Sequence, residues 1–208
     1  MELKVVTING SETGKTVELP KDIFGMAPND HAIYLDVKQY LAHQRQGTHK
    51  TKDKADVHYS TRKIKRQKGT GGARAGSIKS GVFVGGGRIH GPRPKDYTFK
   101  LNKKLKKLAR VSALSYKAST NNIIVLDSLT FDKPNTKTFI SVLNNLKLND
   151  QRVLFVTPEL NKNVYLSGRN LPKAHTMQAS EINTYQILKA KTLVLVNDSI
   201  EVIKQTLN

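Results

Sequence analysis

The position of the positive charge constrains this chain more than any other feature of its sequence. Residues 43–110 hold 20 of the 35 Lys and Arg residues but only three acidic residues, Asp53, Asp56 and Asp96. Ten of the 14 glycines lie in the same segment, and large aliphatic residues are few before position 102. Such a composition buries too little apolar surface to offset the conformational entropy that folding removes. The segment is therefore expected to fold against a polyanion, and RNA is the expected partner.

Outside this segment the composition is that of an ordinary folded protein. The chain has 208 residues, enough for one domain plus an extension, and 38% of them are hydrophobic. The absence of Cys excludes disulfides, thiolate metal sites and cysteine nucleophiles, and it fits a reducing compartment. The start of the sequence has the features of neither a signal nor a transit peptide, and no run approaches 18 apolar residues. A cytoplasmic protein without membrane contact is therefore expected.

The second half of the chain alternates between apolar runs and amphipathic stretches. Continuous apolar runs separated by helical segments are typical of a mainly parallel sheet that is covered on both faces. The predicted fold class is therefore α/β: a mainly parallel sheet with helices on both faces, plus a long, basic, Gly-rich extended loop. The expected strands are 122–126, 152–157, 175–178 and 192–196, and the expected helices are 136–146, 161–170, 184–188 and 198–207.

The first half is expected to supply two short strands and two helices around the basic segment. In chain order these are a strand at 2–8, a turn at 9–12, a strand at 15–19, a loop at 22–29, and helices at 29–43 and 102–119. Asn29 or Asp30 can cap the first helix. Its apolar spacing predicts one buried stripe, formed by Ile33, Val37, Tyr40 and Leu41.

Periodicity is missing between these two helices. A compact domain rarely contains a segment as long as residues 44–100 without secondary structure, unless the segment is functional or disordered. The predicted domains are a discontinuous globular α/β domain, 1–43 and 101–208, and an extended RNA-binding loop, 44–100. Because the loop lacks a core, we expect it to be disordered in the free protein and to order on RNA. A disordered charged tail is less favoured, because a tail would normally be terminal and less patterned in glycine.

Residues 10–16 (GSETGKT) resemble a phosphate-binding P-loop without meeting its requirements. A P-loop has four residues between its glycines and opens a helix. Here only three residues separate Gly10 from Gly14, and the strand that follows is stopped by Pro20. The segment is therefore predicted to be a hairpin turn.

Residues for catalysis or metal binding form no recognisable pattern. The sequence contains no Gly-x-Ser-x-Gly elbow and no His-Glu-x-x-His pair, and its six His residues are scattered. Asp127 and Asp198 each follow an expected strand, where α/β enzymes often have active sites, but a loop or cap role explains both more simply. No catalytic residue, cofactor, metal site, small-molecule substrate or obligate homo-oligomer is expected. Two alternatives stay open: an RNA-modifying or nucleotide-dependent enzyme, and a DNA-binding regulatory protein.

The glycine-rich centre of the basic segment has the chemistry of an RNA contact. Glycines let backbone N–H groups approach phosphates, and Arg can bind a phosphate or a guanine edge through two hydrogen bonds. Aromatic residues are few, so recognition of the backbone and shape of folded RNA is favoured over base stacking. The candidate RNA-binding residues are Arg45, Gln46, Thr48, Lys50, Lys52, Arg62, Lys63, Lys65, Arg66, Gln67, Lys68, Gly69, Thr70, Gly71, Arg74, Ser77, Lys79, Arg88, His90, Arg93, Lys95, Lys103, Lys104, Lys106, Lys107 and Arg110.

Several of these motifs resemble the bacterial family of large-subunit ribosomal protein number four. The resemblance covers nearly the whole chain and is most specific in the central loop. The motifs that carry it are RQGT at 45–48, RQKGTG at 66–71, AR at 73–74, GSIKS at 76–80, GG at 85–86, RP at 93–94, NKK at 102–104, Pro134 with Lys137 and Thr138, and RNL at 169–171. The chain departs from the family at Ile64 and Lys65, where Pro-Trp is common, and at Gly72, where Arg is common. It also departs near Gly81 and Phe83, where a Pro and an aromatic residue, usually Trp, are common.

The resemblance implies a fold, a place and a set of partners. It implies a non-catalytic ribosomal protein with an α/β globular domain on the outer surface of the large subunit. It also implies a long loop that passes through ribosomal RNA to the wall of the peptide exit tunnel. Ribosomal RNA and neighbouring large-subunit proteins are the expected partners. Carried over by position, the tunnel-facing tip of the loop would be formed by Gln67, Lys68, Gly69, Thr70, Gly71 and Arg74.

Overall fold

A six-stranded sheet organises the fold in the computed structural model, which describes residues 2–207. The strands lie in the order β2-β1-β3-β6-β4-β5. β1 and β2 are antiparallel, and every other neighbouring pair is parallel. The strands are β1 (Glu2–Val6), β2 (Glu12–Glu18), β3 (Ile123–Leu126), β4 (Val153–Thr157), β5 (Ala174–Gln178) and β6 (Thr192–Val196).

Helices connect the strands, and four of them begin at an asparagine cap. Asn29 accepts a hydrogen bond from the backbone N–H of Ala32 at the start of the helix Asp30–His43, so the cap predicted there is confirmed. Asn135 accepts a hydrogen bond from the backbone N–H of Lys137, and Asn161 and Asn183 act in the same way on the helices that follow them. The helices are α1 (Lys21–Phe24), α2 (Asp30–His43), α3 (Lys103–Ser119), α4 (Thr136–Asn145), α5 (Lys162–Gly168), α6 (Thr184–Lys189) and α7 (Asn197–Leu207), with a 3₁₀ turn at Ala179–Glu181.

Apolar side chains cover both faces of the sheet. Leu193 and Leu195 of β6 belong to one buried cluster, whereas Val194 and Val196 belong to the other. Because successive side chains of a strand point to opposite faces, the two clusters lie on opposite sides of the sheet. The first cluster includes residues of α3, α6 and α7, and the second includes residues of α4 and α5. The predicted fold class, a mainly parallel sheet with helices on both faces, is confirmed.

The hairpin predicted at residues 10–16 is also confirmed. β1 and β2 pair with Lys4 opposite Thr16, and the turn between them is closed by a 2.9 Å hydrogen bond from Gly10 N–H to Thr7 O. Gly10 has a φ of +82°, a conformation that glycine adopts without steric cost. Gly14 and Lys15 lie within β2, so this segment does not have the strand-to-helix geometry of a P-loop.

Two local predictions are wrong. The expected loop at 22–29 contains α1, a single turn that buries Ile23 and Phe24 and is too short to show a helical period. In α2 the expected buried stripe is not the buried face, since Leu41 is 44% exposed and the other three residues are only half-buried. The helix buries Ala32 and Gln39 instead.

The chain divides into two units, which are described separately. The sheet unit contains the residues up to Leu41 and from Lys100 onward, and the central unit is Ala42–Phe99. Among residues 2–207, the 35 buried hydrophobic residues of the core all belong to the sheet unit.

Candidate RNA interface

The central unit has almost no interior. Residues 44–102, all of which the structure describes, form no helix or strand. Only Gly87 is buried within the unit, and every residue from 61 to 70 is exposed. Apolar burial therefore contributes little to the stability of this unit, as its composition predicts.

Nested backbone hydrogen bonds hold the unit as two arms joined by a turn. Three of them join the outgoing arm to the returning arm: Lys95 N–H to Gly47 O at 3.2 Å, Thr51 N–H to Pro92 O at 3.1 Å, and Arg88 N–H to Lys52 O at 2.9 Å. The innermost runs from Ile64 N–H to Gly76 O at 2.9 Å. Each pair encloses the next, so the chain leaves and returns along the same line.

Tyr97 ties the two arms together near their ends. The guanidinium of Arg45 lies 3.6 Å from the centre of its ring, within cation–π distance. The hydroxyl of Tyr97 forms a 2.9 Å hydrogen bond with His49 Nε2. Lys95 Nζ also lies over the ring, at 4.9 Å. Tyr97 therefore contacts two predicted RNA-binding residues, Arg45 and Lys95, together with His49.

Glycine is required where the arms come closest. Gly47 has a φ of +63°, and a Cβ at this position would collide with the backbone oxygen of Lys95. At Gly87 a Cβ would collide with the backbone nitrogen of Lys54. A larger residue at either position would push the arms apart.

The acidic residues of the central unit are already engaged. Asp53 pairs with Arg93 at 3.1 Å, and Asp56 pairs with Lys50 at 2.8 Å. The hydrogen bond between Lys50 and Asp56 raises the pKa of Lys50 and lowers the pKa of Asp56. Asp96 accepts hydrogen bonds from the hydroxyl and the backbone N–H of Thr98, which lower its pKa. These carboxylates stabilise local turns and leave most of the cations of the unit unpaired.

The unpaired cations form the largest part of the candidate interface. None of them pairs with a carboxylate of residues 2–207. Five of them are exposed in the stretch that contains the turn, and Lys79 is half-buried. A dense set of unpaired positive charges repels itself unless a polyanion is present. Without the three cations that contact Tyr97 or Gln67, the residues concerned are Lys52, Lys54, Arg62, Lys65, Arg66, Lys68, Arg74, Lys79 and Arg88.

The predicted tip lies inside the innermost backbone pair. Gln67, Lys68, Thr70 and Arg74 are exposed, and the Lys63 ammonium donates a hydrogen bond to the Gln67 side chain. Gly69 and Gly71 have φ values of +79° and +67°. No atom lies within 4 Å of the position of a Cβ at either glycine, so conformation rather than crowding requires glycine there.

An exposed apolar turn was not assigned by sequence reasoning. Val82 is 83% exposed and Val84 is fully exposed, although both are large hydrophobic residues. Short turns position them, since Phe83 N–H donates to Ser80 O and Gly86 N–H donates to Phe83 O. The only sequence feature that could have indicated this turn is the short apolar run between Ser80 and Gly85, and such a run is equally typical of a buried strand.

The remaining predicted residues belong to the sheet unit. They lie on the first turns of α3 (Lys103–Ser119), where Lys103 and Lys104 are exposed. Lys106, Lys107 and Arg110 are half-buried. Arg110 Nε is buried without a hydrogen-bond partner among the described residues. The predicted RNA-binding set is therefore divided between the two units.

Asp127 and Asp198 both belong to the sheet unit. Both line an open cavity of about 670 Å³ at the carboxyl ends of β3, β4 and β6. Asp127 pairs with Lys15 at 3.4 Å, and Asp198 lies in the first turn of α7. Within residues 2–207, no group of three or more His, Asp or Glu side chains is arranged to hold a metal ion. The same part of the chain has no helix long and apolar enough to cross a membrane.

Comparison with known proteins places both units in one family. The sequence profile described as "Ribosomal protein L4/L1 family" matches residues 17–206, which include the whole central unit. The chain belongs to the ribosomal protein L4/L1 family. Its similarity to members of the family is high over the full length, and the resemblance found in the central motifs is confirmed.

Three relatives show the extent of this similarity, each named large ribosomal subunit protein uL4. The protein of Phocaeicola vulgatus is 56% identical over 208 residues, which cover 100% of both chains. That of Parabacteroides distasonis is 59% identical over 205 residues, covering 99% of this chain and 98% of the relative. That of Flavobacterium johnsoniae is 57% identical over 208 residues, covering 100% of both.

Proposed function

We propose that this protein is a structural, non-catalytic constituent of the large ribosomal subunit and that its central unit binds ribosomal RNA. Relatives that match it from end to end are named as proteins of that subunit. The observation that carries the proposal is a unit of exposed, unpaired cations with one buried residue. Such a unit gains its stability from phosphates outside the chain.

RNA recognition by this unit rests on phosphate contacts. The unpaired Arg side chains can each hold a phosphate through two hydrogen bonds, and the exposed Lys side chains supply point charges. Positive-φ glycines at 69 and 71 expose backbone N–H groups that can contact phosphate oxygens. This chemistry reads the shape and the backbone of folded RNA more than its sequence.

The domain assignment follows the same division. We propose a globular domain at 1–43 and 101–208 and an rRNA-binding loop at 44–100. The two compact units support these bounds, since their limits differ from them by at most two residues. The five cationic residues at the start of α3 would add phosphate contacts from the globular domain.

The tip of the loop is proposed to reach the wall of the peptide exit tunnel. The resemblance to the family supplies this location. The exposed turn of residues 67–74, enclosed by the Ile64–Gly76 backbone pair, supports it. The tip residues would then be Gln67, Lys68, Gly69, Thr70, Gly71 and Arg74. Neighbouring large-subunit proteins are the other expected partners.

A salt titration tests the RNA-binding role. Binding of the full-length protein to protein-free large-subunit rRNA should weaken about 10³–10⁵-fold between 50 and 200 mM salt, the range for six to ten phosphate contacts on duplex DNA. The R66Q/K68Q variant should bind more weakly and reduce the slope of log affinity against log salt by about 2. The matched control is K137Q/K204Q, which removes two exposed charges of the sheet unit.

Two outcomes would contradict the proposal. One is an affinity that does not change with salt, because phosphate neutralisation is then not the source of binding. The other is equal behaviour of R66Q/K68Q and the control. We also infer that the central unit orders on RNA, so hydrogen-exchange protection of residues 50–95 in the free protein would contradict that part.

A further inference from the structure

A second cationic site lies in the sheet unit, and none of the residues that sequence reasoning assigned to RNA lines it. It is a cavity of about 310 Å³ beside β4 (Val153–Thr157) and β5 (Ala174–Gln178). Five basic residues and one exposed tyrosine line it: Arg152, Arg169, Lys173, His175, Lys189 and Tyr165. No carboxylate belongs to its described lining. A cavity with this lining is suited to an anion.

The sheet fixes the backbone around this cavity. β4 and β5 pair in parallel, with Leu154 opposite His175, and Val153 N–H donates to Lys173 O at 2.8 Å. On the other side of β4, Lys191 N–H donates to Arg152 O at 2.7 Å. The basic residues lie within or directly beside the ends of β4, α5, β5 and α6. They are therefore carried on a rigid frame, which favours a preformed site.

A buried ammonium supports the floor of the cavity. Lys117 of α3 is 6% exposed, and its Nζ donates to Ala190 O at 2.7 Å. Burial lowers the pKa of Lys117. Ala190 lines the cavity and follows Lys189 directly, so this hydrogen bond holds the end of α6 in place.

Charge in the cavity is poorly neutralised. The nearest ion pair joins Lys173 to Asp150 at 3.5 Å, and the Asp150 side chain is fully exposed, so solvent screens it strongly. Arg152, Arg169 and Lys189 pair with no carboxylate of residues 2–207. Partial burial, and then the charge of Lys189, lower the pKa of His175, which favours the neutral form of its imidazole.

We infer that this cavity binds one nucleotide of structured RNA, with the phosphate held by Arg152, Arg169 and Lys189. Two guanidinium groups suit the bidentate binding of phosphate oxygens. Tyr165 is 40% exposed at the edge of the cavity and offers a ring on which a base can stack. The inference rests on the proposed ribosomal function and extends it, because it gives the sheet unit its own RNA contact.

Charge substitution in the full-length protein tests the site. The R169Q/K189Q variant should bind protein-free large-subunit rRNA about tenfold more weakly than wild type, since charged hydrogen bonds to phosphate are lost. It should also reduce the slope of log affinity against log salt by about 1–2. K137Q/K204Q is the matched control. Circular dichroism must show an unchanged melting transition in both variants.

The outcomes separate this inference from the proposed function. If R169Q/K189Q binds like the control while R66Q/K68Q binds weakly, the cavity does not contact RNA and the proposed function stands. If neither variant differs from the control, both the proposed function and the RNA contact of the cavity are contradicted. A loss in R169Q/K189Q, with or without a loss in R66Q/K68Q, supports the cavity.

The His175 side chain provides a direct probe. A phosphate placed in the cavity should raise the pKa of His175, which NMR titration measures in the wild-type protein. We expect this rise on addition of an rRNA fragment that binds the protein, and no rise with AMP or inorganic phosphate at the same phosphate concentration. An equal rise with AMP would identify a free-nucleotide site and overturn the RNA assignment, as would no rise with the RNA.

Discussion

The two units of this protein belong to one chain but have different sources of stability. In the sheet unit, Phe155 and Val194 are fully buried, and both faces of the sheet are covered. In the central unit, Val84 is fully exposed and Gly87 is the one buried residue. Where apolar burial is absent, the chain relies on backbone hydrogen bonds, the Tyr97 contacts and local ion pairs, each of which is individually weak in water.

This difference suggests how the protein uses its sequence. The sheet unit has an apolar core, whose burial offsets the loss of conformational entropy on folding. The central unit has the arrangement of a binding element whose missing contacts are made by the partner. Substitutions should therefore act on folding in one unit and on RNA binding in the other.

The largest expected effect is on the core. Phe155→Ala should lower the free energy of unfolding by about 3–5 kcal/mol, because the side chain is buried and packs edge to face against Phe139 at 5.0 Å. Urea unfolding followed by circular dichroism measures it. The control is Val84→Ala in the central unit, which should change the free energy by less than about 0.5 kcal/mol. Similar losses in both variants would mean that the units are not energetically distinct.

A smaller effect is expected where the arms come closest. Gly47→Ala should open the base of the central unit, because the residue has a positive φ and a Cβ would meet Lys95 O. The strain is about 1–3 kcal/mol, and it should appear as weaker RNA binding with an unchanged urea transition of the sheet unit. Gly76→Ala is the matched control, since nothing lies within 4 Å of its Cβ position. Equal RNA affinities for the two variants would show that the paired arms are not needed for binding.

The smallest effect concerns the Lys50–Asp56 pair. The folded-state pKa of Asp56 is lowered by its hydrogen bond to Lys50, so the pair stabilises the arm at neutral pH. That stabilisation is lost as the pH falls through the lowered pKa, because the carboxylate becomes protonated. Lys50→Gln should move the pKa of Asp56 up towards its ordinary value in an NMR titration of the protein bound to an rRNA fragment. A pKa that stays low in this variant would mean that Lys50 is not the main cause.

Much of the sheet unit could be predicted from the sequence. Apolar runs such as residues 192–196 have a strong, local signal, and the strand there has the predicted limits. Short elements lack such a signal, which is why α1 and the 3₁₀ turn at Ala179–Glu181 were missed. The prediction of the buried face of α2 was wrong at Leu41. Periodicity identifies an apolar stripe but does not determine which side of the helix is buried most deeply.

The candidate interface was predictable in composition but not in geometry. Charge and glycine content led to the prediction that residues 44–100 bind RNA. They could not indicate that Gly47 meets Lys95 or that Lys52 meets Arg88, because these contacts join distant residues without a period. The cationic cavity of the sheet unit had even less signal. Arg152, Arg169 and Lys189 are spread along the chain, and only the parallel pairing of β4 with β5 and the end of α6 bring them together.

The nested pairing of the two arms has a consequence for the order of assembly. Closing a short loop costs less conformational entropy than closing a long one, and the cost grows with the logarithm of loop length. The Ile64–Gly76 contact encloses the shortest loop, and Lys52–Arg88, Thr51–Pro92 and Gly47–Lys95 enclose successively longer ones. Once the inner contact forms, each outer one needs only a small further closure. An RNA that binds the turn first would therefore allow the arms to pair stepwise, from the Ile64–Gly76 contact outward. An RNA that binds first at the Gly47–Lys95 end would have to close the whole loop in one step, at a higher cost in conformational entropy.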